Sequence, residues 1–343
     1  MEKNFNIGIV GATGMVGQRF ITLLNEHPWF NIVSLAASPR SAGKTYEEAV
    51  GNRWAMKMPI PEKIKNMTVT NAFEIPKDVH FVFCAVDMPK DEIKALEETY
   101  AKAEIPVISN NSANRWTEDV PMVIPEVNPE SLSLIELQRK RLGTKKGFIA
   151  TKSNCSIQSY VPPLTPLLKY GIKNIVVSTY QAISGAGKTF ETFPEILDNI
   201  IPYIGGEEEK SEKEPLKIWQ RNDIAISAQC LRVPVTDGHT ATVAFDLKEK
   251  VSAETILSEW EKFGRLDLPS APEKFIVYFN EENRPQAKID RDLGKGMAIS
   301  VGRLRPDNIF DWKFVALSHN TLRGAAGGAV LLAELCVSKG YIY

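Results

Sequence analysis

Short apolar runs alternate with amphipathic stretches through the first half of the chain. Runs of strand length occupy residues 4–10, 32–37, 79–86, 105–109 and 147–150. Between several of them, apolar residues recur at helical spacing, as in residues 87–102 and 129–142. Apolar strands separated by helices are typical of a parallel sheet covered on both faces. Residues 1 to about 150 are therefore predicted to form one alternating α/β unit.

The pattern changes in the second half, where strands dominate. Strand-like runs fall at residues 175–183, 241–248, 275–279, 297–304 and 312–318. One clear helix is predicted at residues 252–263, with Ser252 as its N-cap. The fold class predicted is α/β, with a Rossmann-like parallel-sheet domain at the N-terminus and a mostly antiparallel α+β domain after it.

A glycine-rich turn follows the first predicted strand. Residues 11–17 read GATGMVG and lead into a predicted helix that ends near Glu26. Glycines there allow a tight turn and let backbone N–H groups approach a pyrophosphate at the helix N-terminus. A turn of this composition without a ligand is the alternative, but the strand–turn–helix context favours a dinucleotide site.

The second predicted strand ends in a loop that bears on the choice of cofactor. Residues 38–44 read SPRSAGK and contain no acidic residue to bind a free ribose 2′-hydroxyl. Ser38, Arg40 and Ser41 would suit a 2′-phosphate, so the sequence favours NADP over NAD. The alternative for Arg40 is a solvated loop charge.

Cys155 lies in the stretch TKSNCSIQS, between the predicted strand at 147–150 and a predicted helix at 156–169 that Pro162 and Pro163 could bend. With Ser153 or Asn154 as N-cap, the helix dipole and first-turn N–H groups would favour a thiolate and bind an oxyanion. The alternative is a buried and inert cysteine, the usual state of a cysteine outside a disulfide.

Two further segments carry candidate chemistry. His239 lies in a D-G-H-T turn rather than on an apolar helix face, and is a candidate base for Cys155. Arg232, seven residues earlier, could reach the same cleft if a strand leads into that turn. Arg115, in the polar loop 110–116 at a strand's carboxyl end, could bind a carboxylate or phosphate. The SGAGKT stretch at 184–189 is a second glycine turn and not a P-loop, because residue 182 is alanine.

Composition narrows the class of protein. The 343 residues are enough for two domains, and a net charge of −1 gives no reason to expect a nucleic acid or a membrane surface as partner. The four cysteines are far apart and form no C-x-x-C pair, which argues for the cytoplasm and against zinc or disulfides. The sequence shows no signal peptide pattern. No apolar run approaches the roughly 20 residues that a membrane-spanning helix needs. The charge run at 207–214 is predicted to be a solvated helix face.

Taken together, the motifs resemble one family. GATGMVG, SNCS, QAISGAG, the EEEK run, RVPVTDGHT and a terminal N-x-x-R-G-A-A-G-G-A helix resemble the aspartate-β-semialdehyde dehydrogenases, in family order over nearly the whole chain. The SPRSAGK loop and the EEEK spacing are most similar to the archaeal and fungal branch. The resemblance implies NADP-dependent reduction of L-4-aspartyl phosphate to L-aspartate 4-semialdehyde, with release of phosphate, in the biosynthesis of lysine, methionine, threonine and isoleucine.

The resemblance also implies roles for particular residues. Cys155 would be the nucleophile that carries a thioester, His239 the acid/base, and Gln181 an orienting residue. Substrate would meet Arg232 through its carboxylate, Glu207 or Glu208 through its amino group, and Arg115 and Lys210 through its phosphate. The cofactor would lie against Gly11, Thr13, Gly14, Met15, Val16, Ser38, Arg40, Ser41, Ser184, Gly185 and Asn320. Residues 1–153, completed by 320–343, would bind NADP, and residues 154–319 would carry catalysis and dimerisation in a homodimer or homotetramer.

Three other functions are weighed against this one. A malonyl-CoA reductase would share the scaffold and the cysteine, but malonyl-CoA has no amino group for a glutamate of the EEEK run. A non-catalytic NADP sensor would need none of Cys155, Gln181, Arg232 or His239. A Cys–His hydrolase is disfavoured by the dinucleotide motif.

Overall fold

The computed structural model describes residues 4–343, which form two compact units. The first unit comprises the chain to residue 125, residues 129–152 and residues 325–343. The second comprises residues 126–128 and 153–324. None of the helices within the described residues is long and apolar enough to span a membrane.

Seven parallel strands form the sheet of the first unit. They are β1 (Phe5–Val10), β2 (Phe30–Ala37), β3 (Val69–Asn71), β4 (Phe81–Cys84), β5 (Val107–Ser109), β6 (Met122–Val123) and β7 (Ile149–Lys152). Their order in the sheet is β3-β2-β1-β4-β5-β7-β6, and every neighbouring pair is parallel. All four residues of β4 are buried, as expected for a strand covered on both faces.

Five helices accompany this sheet before the chain passes into the second unit. They are α1 (Met15–Leu24), α2 (Tyr46–Val50), α3 (Glu62–Lys65), α4 (Lys90–Lys102) and α5 (Leu134–Leu142). The turn of β1 into α1 and the start of α4 after β4 follow the alternation that the apolar runs predict. Phe20 of α1 stacks on Phe83 of β4, with ring centroids 4.6 Å apart, so aromatic packing fixes α1 against the sheet.

A buried carboxylate supports the loop at the carboxyl end of β5. Glu97 of α4 is fully buried and accepts hydrogen bonds from Ser109 Oγ, from Asn111 Nδ2 at 3.1 Å and from Asn114 Nδ2 at 2.7 Å. Burial raises the pKa of Glu97 above its ordinary value, and these hydrogen bonds oppose the shift. The carboxylate of Glu97 thus holds the polar loop 110–116 in place through hydrogen bonds.

The second unit contains a six-stranded mixed sheet. Its strands are β8 (Ile172–Gln181), β9 (Ala225–Arg232), β10 (His239–Leu247), β11 (Ile276–Phe279), β12 (Ile299–Pro306) and β13 (Trp312–Ser318), in the order β11-β12-β13-β10-β8-β9. Pairs β10–β13, β10–β8 and β12–β13 are antiparallel, and β11–β12 and β8–β9 are parallel. Its helices are α6 (Val161–Leu164), α7 (Glu207–Trp219), α8 (Ala253–Lys262) and α9 (Ala287–Asp290). The predicted fold class is confirmed.

The last helix, α10 (Gly327–Ser338), belongs to the first unit and is buried on all sides from Gly327 to Val337. It packs against β5 and β7, which accounts for its run of small and aliphatic residues. Its one buried acid, Glu334, lies 2.8 Å from His27 Nε2, so the carboxylate is satisfied within an apolar helix.

The continuous helix predicted at residues 156–169 is wrong. The segment is a 3₁₀ turn (Ser156–Ser159), the single turn α6 and a second 3₁₀ turn (Thr165–Tyr170). Pro162, Pro163 and Pro166 each lack an N–H and crowd the preceding turn, which prevents a continuous α-helix. A long helix dipole therefore does not act on Cys155. The sequence also did not predict β3, which has only three residues.

Candidate active site

Cys155 and His239 meet within the second unit. Within residues 153–164, Cys155 is the one residue that is partly exposed, and its neighbours in this segment are buried. Its Sγ lies 3.4 Å from Nε2 of His239, the first residue of β10. A cysteine and a histidine 84 positions apart are thus in hydrogen-bonding contact, which is the arrangement a cysteine nucleophile requires.

The other ring nitrogen of His239 defines its tautomer. The backbone N–H of Ala182 donates to Nδ1 at 3.0 Å, so Nδ1 acts as an acceptor. A neutral imidazole that accepts at Nδ1 carries its proton on Nε2. From this network we assign the Nε2–H tautomer, whose proton faces the Cys155 sulfur.

Arg232, the last residue of β9, lies beside the same histidine. Its Nη1 donates to Ala182 O at 2.7 Å, and a Cβ added to Gly185 would come within about 3 Å of both Arg232 and His239. Burial lowers the pKa of Arg232 from its ordinary value, and the negative charges of Cys155 and Glu207 oppose the shift. The sequence predicted that Arg232 could share a cleft with His239 if a strand leads into the turn before His239. Strand β9 leads into that turn.

Asn320 ties two turns of this site together. Its Nδ2 donates to Ser184 Oγ at 2.8 Å, and its Oδ1 accepts from the Gly238 backbone N–H at 2.8 Å. The second glycine turn, Ile183–Ala186, and the D-G-H-T turn are therefore held in one arrangement.

Glu207, at the start of α7, connects three polar side chains. Its carboxylate accepts from Asn154 Nδ2 at 3.0 Å, from Gln181 Nε2 at 3.2 Å and from Lys210 Nζ at 2.7 Å. Burial raises the pKa of Glu207, but the charge of Lys210 and these hydrogen bonds outweigh it, so the net pKa lies below the ordinary value. Glu208 instead accepts from the Cys230 N–H at 3.3 Å, so Glu207 is the glutamate that joins Asn154, Gln181 and Lys210.

The prediction of a solvated face for the charge run 207–214 is wrong for three of its residues, which are buried. The run does form most of α7, but Glu207 is 8% exposed and Glu214 is fully buried. With Ser211, also fully buried, they are spaced i, i+4 and i+7 and share one side of the helix. The solvated face was predicted from the charged composition of the run. The i, i+4, i+7 spacing of these three residues, which places them on one side of a helix, was present in the sequence.

Gly324, the glycine that follows Arg323 in the terminal motif, approaches Cys155 closely, a contact that the sequence did not assign. A Cβ at this position would lie 2.7 Å from Cys155 Cβ and 3.1 Å from Cys155 Cα. Arg323 beside it is fully buried and donates to Glu126 through Nη1 at 2.9 Å and Nη2 at 2.6 Å. The bidentate pair fixes the backbone next to Gly324, which in turn packs against the backbone of the candidate nucleophile.

In the first unit, the GATGMVG turn has the geometry of an anion-binding turn. Gly11 has φ +92°, and a Cβ there would lie 2.3 Å from Ala85 O, while one at Gly17 would lie 2.2 Å from Gly11 O. A Cβ at Gly14, the N-cap of α1, would meet only Gly11 O at 3.5 Å, and no side chain caps the helix. Gly11 and Gly17 thus permit the turn, and Gly14 leaves the helix N-terminus open to a phosphate.

The loop after β2 lies next to this turn. Gly11 and Ala12 donate their N–H groups to Ala36 O at 2.8 and 3.0 Å, which places the carboxyl ends of β1 and β2 side by side. Ser38 and Arg40 are exposed, and Ser41 is buried. These residues suit a dinucleotide with a 2′-phosphate, which Arg40 would hold.

The predicted site residues fall into two groups. The first unit holds Gly11, Thr13, Gly14, Met15, Val16, Ser38, Arg40, Ser41 and Arg115; the second holds Cys155, Gln181, Ser184, Gly185, Glu207, Glu208, Lys210, Arg232, His239 and Asn320. Arg115 is 5% exposed and donates from Nε to Lys152 O at 3.0 Å. Among residues 4–343, no group of three or more His, Cys, Asp or Glu side chains is placed to hold a metal ion.

Comparison with known proteins identifies the class of this chain. The family described as semialdehyde dehydrogenase, NAD binding domain, matches residues 6–135. The semialdehyde dehydrogenase dimerisation domain matches residues 164–323. The two matches divide the sequence in the manner of a semialdehyde dehydrogenase.

Individual relatives narrow the class. The aspartate-semialdehyde dehydrogenase of Archaeoglobus fulgidus is 45% identical, over 98% of this chain and 99% of the relative. The crystal structure of that enzyme with NADP from Candida albicans superposes with a TM-score of 0.88 at 38% identity, covering 99% and 100% of the two chains. Enzyme II from Vibrio cholerae, complexed with ASA, has a TM-score of 0.77 at 29% identity and 98% coverage of both. The chain belongs to the aspartate-semialdehyde dehydrogenase family, and the resemblance drawn from the motifs is confirmed.

Proposed function

We propose that this chain is an NADP-dependent aspartate-semialdehyde dehydrogenase that reduces L-4-aspartyl phosphate to L-aspartate 4-semialdehyde and releases phosphate. The observation that carries the proposal is the 3.4 Å contact between Cys155 Sγ and His239 Nε2, in a chain of this family. A sulfur nucleophile suits the reaction because thiolate attacks a carbonyl readily and also leaves readily.

The chemistry divides into two steps at Cys155. Its thiolate attacks the acyl-phosphate carbonyl, the C–O bond to phosphate breaks, and a thioester forms on the sulfur. NADPH, when bound, supplies the hydride that reduces the acyl group. The C–S bond then breaks, the aldehyde leaves, and the thiolate is restored. His239 holds its Nε2 proton beside the sulfur, where it stabilises the thiolate before attack and after C–S cleavage.

Charged groups around the pair account for substrate recognition. Arg232 would bind the α-carboxylate, and Glu207 the amino group in place of its present partner Lys210. Lys210, released from Glu207, and Arg115 would bind the phosphate, while Gln181 would orient the acyl group. A glutamate with these partners favours an amino-acid substrate over malonyl-CoA, and the relatives reported above carry the aspartate-semialdehyde dehydrogenase name.

We also propose a homodimer or homotetramer in the cytoplasm. A family dimerisation domain spans residues 164–323, which supports self-association through the second unit. The four cysteines form no disulfide within the described residues, and thiols of this kind suit a reducing compartment.

The direct test follows NADPH formation from L-aspartate semialdehyde, with and without phosphate. Turnover that requires phosphate is expected, because phosphate must open the Cys155 thioester in this direction. The same preparation is then offered malonyl-CoA and NADPH. Inactivity with aspartate semialdehyde, together with oxidation of NADPH by malonyl-CoA, would contradict the proposal and identify a CoA-thioester reductase.

The cofactor assignment has its own test at Arg40. Replacing Arg40 with glutamate removes the cation proposed to bind the 2′-phosphate and supplies a carboxylate that can accept from a 2′-hydroxyl. We expect the KM for NADP to rise by about 10- to 100-fold relative to the KM for NAD, since a charged hydrogen bond contributes about 1.5–3 kcal/mol. The matched control is Lys44→Glu in the same loop. An unchanged KM ratio in Arg40→Glu would remove Arg40 from the site.

A further inference from the structure

The inward face of α7 contains a carboxylate that the proposed mechanism does not use. Glu214 is fully buried, two helical turns after Glu207, while Glu209 and Lys213 on the other side pair with each other in solvent. A buried carboxylate is unfavourable unless hydrogen bonds satisfy it. One hydrogen bond of Glu214, to the segment that carries Cys155, indicates a role for an acid at this position.

Glu214 binds the backbone next to the nucleophile. Its Oε2 accepts from the backbone N–H of Asn154 at 2.6 Å, in a buried contact that spans 60 residues of sequence. Asn154 immediately precedes Cys155 and is 5% exposed. At 2.6 Å this is a short hydrogen bond, so it holds the Asn154 backbone closely to α7.

The side chain of Asn154 is fixed as well. Its Nδ2 donates to Glu207, and its Oδ1 accepts from the Ser156 backbone N–H at 2.7 Å and the Ser156 hydroxyl at 2.6 Å. Two acids of α7 thus hold the backbone and the side chain of one residue. Because β7 ends at Lys152, no strand ladder holds this backbone, and the side chains of α7 perform that role.

The position of the sulfur depends on these contacts. Cys155 is the N-cap of the short 3₁₀ turn Ser156–Ser159, and its side chain does not cap that turn, so the turn itself contributes little rigidity. A displacement of about 1 Å between reacting groups can cost about 100-fold in rate. The Asn154 N–H, one peptide before Cys155, is therefore a point at which small movements change the 3.4 Å contact with His239.

We propose that Glu214 is a positioning residue for Cys155, holding the Asn154 backbone so that the sulfur stays in line with His239 and the substrate carbonyl. The inference rests on the proposed role of Cys155 as nucleophile. It assigns to Glu214 a geometric function, because its hydrogen bond to the Asn154 N–H holds the backbone beside the nucleophile.

Two conservative variants separate these functions. Glu214→Asp keeps the charge but withdraws the carboxylate by one methylene, whereas Glu214→Gln keeps the reach and an acceptor oxygen but removes the charge. Positioning predicts that Glu214→Asp lowers kcat by about 10- to 100-fold, with KM changed less than about threefold. Glu214→Gln is expected to stay within about threefold of the wild-type kcat. The matched controls are Glu261→Asp and Glu261→Gln, on the exposed surface of α8.

All rates are expressed per NADPH-binding site, counted by fluorescence titration, so that a loss of folded protein does not pass for a loss of kcat. If Glu214→Asp yields no folded protein, Glu214→Met replaces it, because methionine keeps the volume and removes both acceptors. The reverse order of activities, or equal activities in the aspartate and glutamine variants, would overturn the positioning role. Cys155→Ser is assayed in parallel: retained activity there defeats the proposed function itself, independently of the Glu214 result.

Discussion

Replacing Cys155 with serine is expected to lower kcat for L-aspartate semialdehyde by about 10⁴-fold or more, because a hydroxyl is a far weaker nucleophile and leaving group than a thiol near neutral pH. NADP binding should persist, since the dinucleotide turn lies in residues 11–17 and the variant differs by one atom. The measurement pairs initial rates of NADPH formation with a fluorescence titration of NADPH.

Chemical labelling tests the same residue without turnover. Burial raises the pKa of Cys84, Cys230 and Cys336 above the ordinary thiol value, and each is at most 1% exposed. Iodoacetamide at neutral pH should therefore alkylate Cys155 first, and one equivalent should abolish turnover. Cys336→Ala, in the apolar helix α10, is the control and should keep its activity.

For the serine variant, turnover by Cys155→Ser above about a tenth of the wild-type rate would be incompatible with a covalent role for the Cys155 sulfur.

The parallel sheet could be predicted because its sequence signal is local. Buried strands such as β4 are apolar at every position, and helices separate them. Each strand can therefore be recognised from its own apolar run. The helix predicted at 156–169 failed for an equally local reason, because three prolines stand within five residues. A single proline at its start would have been tolerated.

The candidate site could be predicted only in part. Cys155 and His239 were found because their residue types carry chemistry, and the structure adds the distance between them. The N–H of Ala182, the backbone of Gly324 and the carboxylate of Glu214 act through contacts that span many residues. The local sequence does not show these contacts: any residue type offers an N–H, a glycine does not name the residue it packs against, and an acidic run usually lies in solvent even when its spacing is helical.

Replacing His239 is expected to have the second large effect on kcat. Its side chain is fully buried, its Nδ1 accepts from the Ala182 N–H, and its Nε2 proton faces the Cys155 sulfur. Replacing it with asparagine keeps an acceptor within reach of Ala182 and removes the proton donor at the sulfur. Replacing it with glutamine keeps a donor near the sulfur but provides no group that exchanges a proton near neutral pH.

Both His239 variants are expected to lower kcat by about 10²- to 10⁴-fold, the usual contribution of a positioned acid or base. Glutamine should retain more activity than asparagine if the hydrogen bond to the thiolate matters in its own right. The measurement is kcat and kcat/KM against pH, in which the wild-type enzyme should show a limb that both variants lack.

The control for this prediction is His80→Gln in the first unit, where the histidine is exposed and bonds to the backbone of Asn6. It should leave the pH profile unchanged. If the His239 variants keep the wild-type dependence of kcat on pH, even at a reduced rate, the imidazole ring has only a packing role beside Cys155. The loss of one limb together with a normal KM would instead locate its contribution in proton transfer at the sulfur.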